Sequence, residues 1–156
     1  MGLLERHDVL VQRHLLLWKK VFVGRASRLS RADVYLWEAH GTSGYCISRD
    51  EIHVFYEENA YDLDHLDEAA AAGMPPPSGN LTSWRVWEVE VVHELVHEYQ
   101  VKVVCGVTTA AGVALDKSIA PHKRFSGHGH DAAFYTAVDQ VAALLGMSAQ
   151  TLADNV

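Results

Sequence analysis

The chain has 156 residues, 49% hydrophobic and 21% charged, with 20 acidic against 13 basic side chains and a formal charge of −7. That length supports one core and leaves little room for two, so a single domain over 1–156 is expected. The acidic balance argues against a nucleic-acid partner, whose binding face is normally basic, and no apolar stretch approaches a membrane span.

The N-terminal residues carry Glu5, Arg6 and Asp8, so they lack the apolar run of a secretion signal, and Arg6 stands where a myristoylation site has Ser or Thr. A cytoplasmic location is expected. Leu3, His7, Leu10, His14, Leu17 and Val21 recur at three- and four-residue steps, which predicts a helix stopped by Gly24. His7 and His14 share that stripe two turns apart, too far for joint ligation, and read as satisfied helix-face histidines. Arg25, Arg28 and Arg31 read as a solvated loop.

Val34-Tyr35-Leu36-Trp37 is β-rich, 40–44 is turn chemistry, Tyr45-Cys46-Ile47-Ser48 resumes, and Ile52-His53-Val54-Phe55-Tyr56 alternates. Two or three antiparallel strands are predicted. Residues 57–68 are acidic and read as a solvated face, or as a guide for a basic substrate. A short helix over 67–72 and a proline break at Pro75-Pro76-Pro77 follow.

A helix is predicted over about 84–99, capped by Thr82 or Ser83, because Val92, Leu95, Val96 and Tyr99 share one face. Residues 101–109 are β-rich and read as a return to the sheet, and 106–129 as a loop able to serve as a lid. Ala133, Phe134, Ala137, Val138, Val141, Leu144 and Leu145 define a last helix closed by Gly146, and Ser148 can cap a further turn. Cys46 and Cys105 form no Cys-x-x-Cys pair and are expected to be free core thiols.

His93-Glu94-Leu95-Val96-His97 is an HExxH motif. Residues four apart on a helix project from the same face, so the two imidazoles can converge on one zinc ion. Glu94 then sits beside the ion, where it can take a proton from the zinc-bound water and deliver it to the leaving amine. Catalytic zinc usually has a third protein ligand. His128 and His130 stand in a Gly-rich turn before the last helix and are the candidates. Tyr135, Tyr99 and His128 are candidates to polarise a scissile carbonyl, and the strand around 53–56 is a candidate edge for an extended peptide.

HELVH at 93–97 followed by His130-x-x-x-Phe134 resembles the SprT-like (Spartan-type) zincin metallopeptidases. The resemblance implies an α+β zincin-like minimal metallopeptidase domain: N-terminal helix, small antiparallel sheet, HExxH helix and C-terminal helix. It implies His93, His97 and His130 as zinc ligands, Glu94 as general base, and a protein or peptide substrate. His130 is preferred to His128 because Phe134 follows it by four. Glu90 and Glu98 depart from the family pattern, and read as solvent-facing or as orienting a histidine N–H. The alternative is a non-hydrolytic zinc-binding structural or regulatory module, in which Glu94 would have no task. A regulatory peptidase of the ImmA/IrrE kind would instead use a carboxylate as third ligand, for which Asp131 is available.

Overall fold

The computed structural model describes residues 2–56, 89–106, 130 and 132–155. The short helix, the acidic run, the proline break, the cap at Thr82 or Ser83, residues 84–88, His128, Asp131 and the lid after Gly106 lie outside the described residues.

Helix α1 runs Leu3–Val21, as its apolar steps predict. Glu5 in the first turn and Lys19 and Lys20 in the last oppose the helix dipole favourably. Leu10, Leu17 and Val21 face the core together with Arg13 and His14.

The strands are β1 (Asp33–Glu38), β2 (Gly44–Cys46) and β3 (Glu51–Tyr56). Two of them pair antiparallel, as expected, but the third does not, and the sheet is mixed. The order is β1-β3-β2, with β1 parallel and β2 antiparallel to β3. A short 3₁₀ turn, Ile47–Arg49, and the left-handed Asp50 fold β2 back onto β3, whereas 39–43 cross the end of β3 instead of closing a hairpin. Gly41 makes that crossing possible, because a Cβ there would come within 2.6 Å of the Phe55 ring. Ser43 Oγ accepts the Phe55 N–H at 3.2 Å and fixes the crossing chain. Gly41→Ala should therefore cost about 1–3 kcal/mol through overpacking, read as a lower urea midpoint.

Val34, Leu36, Ile52 and Val54 point inward. On the outer face the parallel register sets Tyr35 opposite His53 and Trp37 opposite Phe55. Tyr35 lies on His53 at 5.1 Å, and Trp37 Nε1 donates to His53 Nδ1 at 2.9 Å. These cross-strand contacts favour β1 beside β3 over β1 beside the short β2. β3 is thus the central strand, not the peptide-binding edge expected around 53–56.

Helix α2 (Val89–Tyr99) carries the HExxH residues and buries Val91, Val92, Leu95, Val96 and Tyr99 among α1, the sheet and α3 (Ala132–Leu145). It continues as a π-helical turn, Gln100–Val104, closed by Cys105 N–H to the Gln100 carbonyl at 2.8 Å. Of the β-rich run 101–109, the described residues 101–106 do not return to the sheet. Val101 and Lys102 are buried, and the Lys102 ammonium reaches Glu98 one turn back, so tertiary contacts override valine's strand preference. Helix α3 ends where Gly146 takes φ +72° and Met147 N–H returns to the Ala142 carbonyl at 3.0 Å. Helix α4 (Ala149–Asn155) follows and buries Leu152.

Cys46 is half-buried on β2 and Cys105 is exposed, so neither is the core thiol expected, and neither is in a disulfide. No helix among the described residues is long and apolar enough to cross a membrane.

Candidate metal centre

Three imidazoles from two parts of the chain converge on one point. His93 and His97 lie one turn apart on α2, and His130 stands just ahead of α3. One ligand nitrogen from each lies within 4.8 Å of the others. The His93 and His97 Nε2 atoms are 3.1 Å apart. A tetrahedral ion with Zn–N bonds of about 2.0–2.1 Å spaces its ligands by roughly 3.3 Å, so the donor set fits zinc with small adjustment.

The surroundings fix the imidazoles in this arrangement. His97 Nδ1 donates to Gln100 Oε1 at 2.9 Å, which leaves Nε2 with its lone pair toward the shared point. Burial, and then the neighbouring His130, lower the His93 pKa to about 4, so its nitrogen is available at neutral pH. The buried Phe134 ring floors the site, stacked on His130 at 4.2 Å and 4.9 Å from His97. His97 is buried, His93 intermediate and His130 exposed, so the cluster opens to solvent on the His130 side.

Glu94 is 2% exposed, and its carboxylate lies 3.9 Å from His93 Nε2. Burial raises its pKa to about 8; the charge of Glu90 adds to the rise, and a hydrogen bond from the Tyr45 backbone N–H opposes it. A carboxyl group poised near neutrality beside three imidazoles suits proton transfer.

Other expectations fare differently. Tyr99 is in the core, with its hydroxyl donating to Gln140 Oε1 at 2.6 Å, so it does not face a substrate. Tyr135 is exposed next to Phe134 and keeps its candidacy as a carbonyl polariser. Glu90 is exposed, but Glu98 is wholly buried and bonds His14, not a cluster histidine. His14 is a satisfied histidine: its Nδ1 accepts from Arg31 and its Nε2 donates to Glu98. Arg31 therefore leaves the solvated cluster, while Arg25 and Arg28 line a surface cavity with Leu29 and Val103.

Sequence reasoning missed Gln100 and Tyr45. Gln100 had a signal, since a polar residue three after His97 lies on the same helix face. Tyr45 contributes a backbone group, which no residue type reveals. Comparison of the chain with family models, with curated proteins and with solved structures finds no match.

Proposed function

We propose that the chain is a zinc-dependent metallopeptidase, similar in its site to the SprT-like zincins, that hydrolyses peptide bonds with Glu94 as general base. The observation that supports this most is the convergence of His93, His97 and His130 within 4.8 Å, with a buried carboxyl group on the next residue of the same helix. A purely structural zinc site has no use for that buried acid. His93 and His97 would hold the ion from α2 and His130 from the start of α3. Bound there, the ion would supply Lewis acidity to polarise the scissile carbonyl and to acidify water.

The residues account for the rest. Glu94 takes the proton released as water attacks the carbonyl carbon, then passes it to the amine nitrogen as the C–N bond breaks. Gln100 holds the His97 ring in its tautomer and plane. Phe134 keeps water from the inner side of the imidazoles.

Metal analysis tests the site first. Protein purified without added zinc should carry about one ion per chain, and His97→Ala or His130→Ala should reduce that to trace. His128→Ala should retain it. Loss on His128→Ala with retention on His130→Ala would reassign the third ligand. Metal that survives His97→Ala unchanged would remove the centre, and hydrolysis of denatured, dye-labelled casein then tests the activity itself.

A further inference from the structure

Glu98, Lys102 and Asp50 meet almost fully out of solvent. Lys102 Nζ bonds Glu98 Oε2 and Asp50 Oδ1, each at 2.7 Å, and the Ser30 carbonyl at 2.6 Å. Glu98 also accepts from His14 at 2.9 Å and from the Ala32 backbone N–H at 3.0 Å. Asp50 accepts from Ser30 Oγ at 2.6 Å and from the Tyr45 hydroxyl at 2.7 Å. The cluster therefore joins α1, the start of β1, the β2–β3 turn and the helix that carries the histidines.

Tyr45 belongs to this cluster and to the candidate active site at once. Its hydroxyl is held by Asp50, while its backbone N–H donates to the Glu94 carboxylate. β2 is only three residues long and pairs with β3 alone among the described residues. Such a short edge strand is weakly held by its own ladder, so side-chain anchoring decides where its N–H points.

We infer that Tyr45 is a positioning residue: the Glu98–Lys102–Asp50 cluster fixes its hydroxyl, and the strand so fixed presents its N–H to one oxygen of the Glu94 carboxylate. The other oxygen is then left free, in a set orientation, for the attacking water. A base must be held within about 0.5 Å of its productive place, and a misplacement of about 1 Å can cost a hundredfold in rate. The effect on turnover rests on the reading of Glu94 as the base. The placement of the N–H does not.

Tyr45→Phe tests this, because it keeps the backbone N–H and most of the packing and removes only the bond to Asp50. Metal content should be unchanged. On dye-labelled casein, kcat should fall about tenfold with KM within about twofold. Amide hydrogen exchange at residue 45 should quicken about tenfold or more. Asp50→Asn, which tolerates the left-handed backbone at φ 53°, should give the same signature in smaller measure. Leu152→Ala in α4 is the control. It opens a cavity at a wholly buried position and should lower stability while leaving kcat and the residue 45 amide unchanged.

Equal losses of kcat in the Tyr45→Phe and Leu152→Ala proteins would reduce the role to general stability and overturn the inference. So would unchanged exchange at residue 45 in Tyr45→Phe. If the wild type cuts no casein yet the residue 45 amide responds as described, the peptidase reading fails and the positioning stands.

Discussion

Glu94→Gln should keep the ion and lose turnover. Glutamine has nearly the same shape as glutamate, and its carbonyl oxygen can still accept the Tyr45 N–H, so His93 and His97 should keep their places. It cannot take up the proton that water must release. Loss of a positioned general base costs about 10²–10⁴ in rate, and kcat should carry that loss while KM stays near the wild-type value. Casein hydrolysis by the variant at more than a tenth of the wild-type rate would place the base elsewhere.

The same substitution has a consequence without metal or substrate. The folded Glu94 carboxyl is raised from 4.5 to about 8, so the folded chain holds a proton that the unfolded chain releases. Stability should then fall as pH rises between those values. His93 acts oppositely. Lowered from 6.5 to about 4, it makes stability rise with pH across that lower window. Above pH 6.5 His93 no longer opposes the Glu94 slope, so the urea midpoint of the metal-free protein should drop from pH 6.5 to pH 8. Glu94→Gln should abolish the drop, and a drop that persists would trace it to another group.

Lys102→Met should be the most damaging change to stability. The methionine stem fills the same space, but Glu98 and Asp50 lose the ammonium that bonds both at 2.7 Å. Removing one member of a buried ionic cluster leaves uncompensated charge and costs about 3–5 kcal/mol. Urea unfolding should show this as a lower midpoint with an unchanged slope. Adding Glu98→Gln to Lys102→Met should recover part of the loss, since one stranded charge is then gone. No recovery would mean that the cost came from packing.

The cluster also predicts the acid limit of the fold. Burial alone would raise the Glu98 pKa, but His14 and Lys102 more than reverse that and hold it at about 2, against an ordinary 4.5. The contribution is complete above 4.5 and is lost as pH falls toward 2.

What was legible in the sequence was local. His93 and His97 share a helix face by spacing alone, with Glu94 beside them, whereas the stacking of His130 on Phe134 joins a residue ahead of α3 to its first turn. The stripe from Leu3 to Val21 and the α+β composition of the chain were legible for the same reason. Strand order was not. It depends on Gly41 passing under Phe55 and on Tyr35 meeting His53, contacts that periodicity does not encode. The run after Val101 misled because its valines favour strands, while Lys102 is drawn to Glu98 and Asp50. Glu98 looked like a surface acid because its partners, His14, Ala32 and Lys102, come together only in the folded chain.

The mixed sheet also sets an order of assembly. β2 and β3 are joined through the turn at Ile47–Arg49, so their pairing closes a short loop at little entropic cost. β1 can join β3 only after the chain has passed around it, and that parallel pairing brings together residues such as Asp33 and Glu51 that are distant along the chain. The hairpin that carries Tyr45 should therefore pair first, with β1 docking onto β3 afterwards. The backbone group that faces Glu94 would then lie in the part of the sheet that forms first.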